Sequence, residues 1–159
     1  MSRRKPAREK KAENKDMRNL LLALYNTSSL RLLWLGPISE ELREGIFRAA
    51  QTESFIAKRR YEREVVNLMR IEEDEGIAFL QDLIADETPF LEAFSAKLKS
   101  YRDMLSDLEE LSSFVDAYPN INVQLLRQRI RNHEQKQSSK TQVLLDELLT
   151  PLLFPLDWE

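Results

Sequence analysis

Glycine is nearly absent from this chain, and that scarcity constrains the fold more than any other feature. Only three glycines occur among 159 residues, whereas tight turns between strands and phosphate-binding loops depend on glycine. The commonest residues are strong helix formers, and charged residues make up 32% of the chain. Hydrophobic residues make up 42%, which is enough to bury a core without disulfides. The sequence therefore predicts an all-α protein with antiparallel helices in one or two small bundles.

Missing residues and motifs argue against several classes of function. With no cysteine and one histidine, disulfides and thiolate metal sites are excluded, and a zinc site would need an unusual set of carboxylates. No Walker, Rossmann, HExxH or GxSxG pattern occurs, and no convergent catalytic pocket can be assembled. No apolar run approaches the ~20 residues of a membrane helix, and Glu9, Glu13 and Asp16 interrupt any signal-peptide core. We expect a soluble intracellular protein that is no enzyme and uses no cofactor or metal.

Helix-breaking signals divide the chain into a basic leader, residues 1–15, and two helical lobes, residues 16–87 and 88–159. In the first lobe, apolar residues at helical spacing predict a helix that begins near Ala7. Ser39 precedes two acids and is a good helix cap. The chain from there to about Arg70 contains no proline and only Gly45, so we predict a long central helix without a break. Asp74 then restarts a shorter helix.

The second lobe contains three further stretches with helical periodicity. Thr88 and Pro89 begin the first, and its apolar pattern continues until Tyr118-Pro119 stops it. Asn122 is predicted to cap the next helix, and Ser138-Ser139 marks a break before the last. The segment after Pro151 is apolar, and it is predicted to be non-helical after Pro155.

The most informative basic segment contains Lys58, Arg59, Arg60, Arg63 and Arg70. At about 100° per residue, Arg59, Arg63 and Arg70 fall within ~40° of one another, while Tyr61, Val65 and Leu68 point to the opposite side and are predicted to pack inward. A row of guanidinium groups on one helix suits the phosphate backbone of a nucleic acid. The alternative is a solvated face whose arginines pair with nearby acids. Those acids are Glu62, Glu64, Glu72 and Glu73.

A second basic segment carries Arg127, Arg129 and Arg131. Arg127 and Arg131 share one face of the predicted helix, which makes them candidate phosphate contacts. Arg129 points inward, where it either pairs with a carboxylate or extends its charged end outward. His133 is predicted to be packed or hydrogen-bonded, because no nucleophile that it could activate is apparent.

The leader supplies further cations, and Arg3, Arg4, Lys5 and Arg8 are candidate RNA contacts. Two alternatives remain open for this segment: an arm that becomes ordered on RNA, or a frayed terminus that adds solubility. Trp34 and Trp158 could stack on bases, but tryptophans at helix ends more often seal a core.

Three segments in register give the chain a resemblance to the DarP family of bacterial ribosome-associated proteins. They are PISEELREGI at residues 37–46 with AAQ at 49–51, KRR at 58–60 with LMR at 68–70, and YPN at 118–120 with QLLR at 124–127 and IRN at 130–132. Order and spacing agree from about Ser2 to Leu149. The family has a glycine before the arginine run and Ile-Gly-Lys before the Leu-Met-Arg, whereas this chain has Ala57 and Val65-Val66-Asn67. These differences are typical of a divergent member.

The resemblance implies a helical, non-catalytic factor that binds rRNA on late precursors of the large ribosomal subunit and assists maturation of the peptidyl transferase centre. Its matched candidate residues are Arg59, Arg60, Arg70, Arg127 and Arg131. Expected partners are large-subunit rRNA, the precursor particle and other assembly factors, with no membrane partner and a monomeric state. The expected location is the cytoplasm, or an organelle matrix with bacterial-type ribosomes. The alternative function is a protein–protein adaptor that docks through its apolar tail, Leu152 to Trp158.

Overall fold

The computed structural model describes the backbone of residues 7–156, and the side chains of Lys11 and residues 13–156. Within this part of the chain every regular element is a helix and no strand occurs, so the prediction of an all-α fold is confirmed. The described residues divide into two compact units, the first formed by residues 7–90 with Leu156 and the second by Leu91–Pro155.

The first unit contains four α-helices and one 3₁₀ helix. They are α1 (Ala7–Leu24), the 3₁₀ helix (Leu30–Leu35), α2 (Glu40–Gln51), α3 (Phe55–Ile71) and α4 (Asp74–Ala85). Helix α3 packs against both α1 and α2, and α1 also packs against α4. Leu21, Leu42, Val65, Met69 and Leu80 are almost completely buried in the resulting core. Each such side chain stabilises the unit by about 1.5–3 kcal/mol relative to an exposed one.

The second unit is built from the remaining helices. They are α5 (Thr88–Met104), α6 (Leu108–Ala117), α7 (Val123–Gln135) and α8 (Ser139–Leu153). Helices α7 and α8 pack against each other. Arg102 of α5 donates to both carboxylate oxygens of Asp146 of α8, at 2.7 and 2.8 Å. Both bonds come from Nη1. Because only 8% of the Arg102 side chain is exposed, this ion pair gives a partner to a guanidinium that would otherwise be buried without one.

The prediction of one long central helix is wrong, because α2 ends at Gln51 and a separate helix, α3, begins at Phe55. The hydroxyl of Thr52 donates to the carbonyl of Arg48 at 2.6 Å at the end of α2. Two residues later, the hydroxyl of Ser54 accepts the N–H of Ala57 and caps α3. Both hydroxyls offer the backbone local hydrogen bonds in place of helix continuation. The central segment is therefore two helices of 12 and 17 residues.

The apolar pattern that continues from α5 to Tyr118 also spans two helices. The carboxylate of Asp107 accepts the N–H groups of Glu109 and Glu110 at 2.9 and 3.1 Å, which starts α6. The predicted caps Ser39 and Asn122 are confirmed, since each accepts a backbone N–H at the start of a helix. The predicted break at Ser138-Ser139 coincides with the start of α8, where Ser138 is the cap.

Candidate nucleic-acid interface

The outward face of α3 carries a row of arginines. Arg59, Arg60 and Arg63 are exposed and Arg70 is half-buried. Among the residues that the structure describes, none of these four guanidinium groups forms an ion pair with a carboxylate. The row therefore presents positive charge to solvent. We refer to Arg59, Arg60, Arg63 and Arg70 as the α3 basic face.

Two of the four glutamates that could have neutralised this face have other partners. Glu62 is 5% exposed, accepts the Tyr25 hydroxyl at 3.1 Å, and lies 3.6 Å from a terminal nitrogen of Arg18. Burial, followed by the Glu62 carboxylate, raises the pKa of Tyr25 well above its ordinary value. Glu72 accepts the hydroxyl and backbone N–H of Ser39 at 2.7 and 3.3 Å. Glu62 and Glu72 are therefore engaged outside the α3 basic face, and in the described part of the chain neither Glu64 nor Glu73 forms an ion pair with it.

The inward face of α3 is wider than its periodicity predicts. Val65 is buried as predicted, but Tyr61 and Leu68 are only half-buried. Glu62 and Val66 are buried as well. The reason is that α3 packs against both α1 and α2. The buried part of its surface therefore extends to Glu62 and Val66, next to the arginine face predicted from the sequence.

A groove of about 250 Å³ lies between α1 and the basic face of α3. Its lining residues are Asn14, Arg18, Arg59, Glu62, Arg63, Val66 and Asn67. In the described part of the chain, the buried Oδ1 of Asn14 and Nε of Arg18 have no hydrogen-bond partner. The groove thus combines guanidinium charge with unsatisfied polar atoms. Sequence reasoning missed Asn14 and Arg18; their spacing of four residues, which places them on one face of α1, was the available signal.

Lys58 and Arg60 lie on either side of Arg59 in the sequence, and both contact tyrosine rings. The Nζ of Lys58 lies 4.9 Å from the centre of the Tyr25 ring, and the guanidinium of Arg60 lies 5.1 Å from that of Tyr61. These cation–π contacts orient the two side chains but leave their hydrogen-bond donors available. Lys58 is half-buried, so it is the less accessible of the two.

The three arginines of α7 lie in two different environments. Arg127 and Arg131 are exposed and line an open groove together with Leu108 and Leu111 of α6. Arg129 instead donates to the carbonyl of Leu144 at 2.6 Å.

Arg129 also contacts a second residue of α8, the helix that contains Leu144. Its guanidinium is 3.5 Å from a carboxylate oxygen of Glu147, so the predicted pairing of Arg129 with a carboxylate is confirmed. His133 hydrogen-bonds Thr141 across 2.9 Å, so this histidine is hydrogen-bonded as predicted.

Part of the predicted interface lies outside the described residues. This applies to Arg3, Arg4 and Lys5, and also to Trp158. Arg8 lies in α1, but its side chain is not among those described. Residues 7–15 of the leader form the first turns of α1.

The apolar C-terminal segment contributes a core side chain, Phe154, to the second unit. Phe154 is completely buried, and its ring centre lies 4.4 Å from that of Phe94. The Nζ of Lys97 lies 5.5 Å from the same ring. The segment expected to dock into a partner in the adaptor alternative therefore has its largest described side chain inside the second unit.

Neither a cluster of metal ligands nor a membrane-spanning helix occurs among the described residues. No group of three or more His, Cys, Asp or Glu side chains is arranged to hold a metal ion. None of the described helices combines the length and the hydropathy that a bilayer-spanning segment requires.

In its described residues the protein is entirely helical, and the arginines exposed on α3 and on one face of α7 have no ion-pair partner. This places it in the class of helical proteins with localised basic surfaces, although its net charge is −3. The chain belongs to the family of dual-action ribosomal maturation proteins, DarP, whose family model matches residues 4–149. The resemblance drawn from its sequence is thereby confirmed, and so is its assignment to ribosome biogenesis. No solved structure gives a significant match.

Proposed function

We propose that this ribosomal maturation protein binds rRNA on late precursors of the large subunit and assists maturation of the peptidyl transferase centre without catalysing a reaction. The observation that carries the proposal is the α3 basic face, whose guanidinium groups have no carboxylate partner among the described residues. A row of guanidinium groups without carboxylate partners on one helix suits contacts to phosphate oxygens, which need no base reading.

The overall acidity of the chain limits where such binding can occur. Attraction to phosphate decays over about 8 Å at physiological ionic strength, so it depends on the nearest charges and not on the total of −3. The α3 basic face, the exposed Arg127 and Arg131 of α7, and the cations of the leader are the surfaces we assign to rRNA. Other assembly factors are further partners, and the site of action is the cytoplasm or an organelle with bacterial-type ribosomes.

Charge reversal of the α3 face tests the proposal directly. The variant Arg59→Glu/Arg63→Glu should move the protein from the large-subunit precursor fractions of a low-salt density gradient to the top fractions. The helical circular dichroism signal should be unchanged, since both side chains are exposed.

Reversing two charges elsewhere on the protein separates the loss of the α3 basic face from the change in net charge. Lys99 and Lys140 are exposed residues of the second unit that lie outside both basic faces. The variant Lys99→Glu/Lys140→Glu should sediment with the precursors like the wild type. Absence of the wild-type protein from those fractions, or unchanged sedimentation of the Arg59/Arg63 variant, would contradict the proposal.

A further inference from the structure

Two large apolar side chains stand exposed side by side at the start of α3. Phe55 is 77% exposed and Ile56 is 81% exposed. Single exposed apolar residues are common on protein surfaces, but here an aromatic ring and a branched aliphatic chain adjoin each other at the first turn of the most basic helix. We call this pair the α3 apolar corner. Its position beside the α3 basic face indicates a ligand that offers both an apolar surface and negative charge.

The charges that α3 itself places around the corner are cationic, whereas one exposed acid, Glu53, lies in the preceding loop. Lys58 and Arg59 stand three and four residues after Phe55, which places them on the same side of the helix and within side-chain reach. Arg60 has the same relation to Ile56. The first turn of α3 contains no acidic residue, and the amino-terminal end of a helix itself favours negative charge. Within α3, the carboxylate nearest to the corner is that of Glu62, which is buried.

A nucleotide whose base is not paired fits this combination. Its base provides a flat apolar surface for the phenyl ring, and its phosphates lie within a few ångströms of that base. A base inside an A-form duplex is already stacked on both sides and is unavailable to an aromatic side chain, whereas a base in a loop, bulge or end can be turned outward and stacked. A purely apolar protein partner would not use the adjoining cations.

We propose that the α3 apolar corner binds one unpaired nucleotide of the RNA, with Phe55 stacked on the base and with Lys58 and Arg59 on the flanking phosphates. The inference rests on the proposed rRNA binding and adds to it a preference for RNA with unpaired bases. The arginines farther along α3 then follow the backbone of the adjoining helix.

Binding to two defined RNAs tests the preference. One probe is a fluorescent RNA hairpin with an internal loop of unpaired bases, and the other is the same hairpin with the loop closed by base pairs. Phe55→Ala should weaken binding of the looped hairpin by roughly five- to a hundredfold, the effect of losing one base–aromatic stack. Its affinity for the paired hairpin should be unchanged. Phe55→Trp should retain the preference and Phe55→Leu should lose it, because leucine is apolar but has no aromatic face.

Ile71 provides a matched control at the opposite end of α3. It is 79% exposed, so Ile71→Ala removes a similarly exposed apolar side chain and should leave both affinities unchanged. The salt dependence of binding should be the same for Phe55→Ala and the wild type, because no charge is lost.

The possible results separate this inference from the proposed function. Failure of the wild type to bind either hairpin would overturn both. Binding of both hairpins by the wild type, with no effect of Phe55→Ala on the looped one, would overturn only the nucleotide-binding corner. If Phe55→Ala weakened association with precursor particles yet bound both hairpins normally, the corner would be a protein contact, and the inference would again be wrong.

Discussion

The three arginines of α7 allow RNA binding and folding to be tested within one helix. Arg127 and Arg131 are exposed and, among the described residues, have no ion-pair partner. Arg129 is held by the Leu144 carbonyl at 2.6 Å and lies 3.5 Å from Glu147. We predict that the variant Arg127→Gln/Arg131→Gln loses affinity for RNA without losing stability, and that Arg129→Gln loses stability without a specific loss of affinity.

The expected magnitudes follow from these contacts. Each phosphate contact contributes about 0.9 to the slope of log affinity against log salt concentration on a duplex, so replacing Arg127 and Arg131 should reduce that slope by about 2. The bond from Arg129 to Leu144 is donated by a charged group whose side chain is 20% exposed, and such bonds contribute about 1.5–3 kcal/mol. Glu147 adds little, since 58% of its side chain is exposed. Replacing Arg129 should therefore lower the free energy of unfolding by about 1–3 kcal/mol.

The assay combines fluorescence anisotropy with a paired RNA hairpin over about 50–200 mM salt and urea denaturation followed by circular dichroism. All variants are compared with the wild type at a temperature where each is folded. An unchanged salt slope for Arg127→Gln/Arg131→Gln would show that this face does not contact phosphates. A reduced slope for Arg129→Gln, with wild-type stability, would refute the division of roles within α7.

Three further predictions concern folding. Gly36→Ala should destabilise the first unit by about 1–3 kcal/mol in urea denaturation, since an added Cβ would lie 1.9 Å from a ring atom of the buried Phe79; wild-type stability would contradict this packing. Arg102→Met should cost about 3–5 kcal/mol because Asp146 loses its buried partner, whereas replacing both with apolar residues should cost less. Burial raises the pKa of Tyr25 above its ordinary value of 10.0. Above pH 10 the unfolded chain therefore loses a proton that the folded chain keeps, so the free energy of unfolding should fall as the pH rises further. In Tyr25→Phe this fall should be smaller.

The ends of most helices could be predicted because they depend on nearby residues. Ser39, Asn122 and Ser138 stand directly before a helix, and each hydroxyl or amide satisfies a backbone N–H close in sequence. The break at residues 52–54 could not be predicted in the same way. Thr52 and Ser54 are compatible with a helix interior, and only the packing of α2 and α3 as separate helices against the core selects the alternative hydrogen bonds.

The sequence predicts where the arginines of the candidate site lie, but it does not predict which partners the neighbouring glutamates have. Helical spacing alone places Arg59 and Arg63 on one face. Whether they are free depends on the positions of neighbouring carboxylates, and these are set by residues far away in sequence. Glu62 is held by Tyr25, which lies 37 positions earlier, and Glu72 by Ser39, which lies 33 positions earlier. No local pattern contains that information.

The position of Glu62 explains how a locally mixed sequence produces a basic surface. Residues Arg60, Glu62 and Arg63 are close in sequence, and a fully solvated helix would show both signs of charge. Because Glu62 is turned inward and paired with Arg18, its charge is compensated beneath the surface, where bulk salt screens it little. The tertiary pairing between α1 and α3 therefore removes the charge of Glu62 from the surface beside Arg59 and Arg63, whereas Glu64 stays exposed. Docking of α1 on α3 is thus a requirement of the basic face itself, so a change that loosens that docking would weaken RNA binding even if every arginine remained in place.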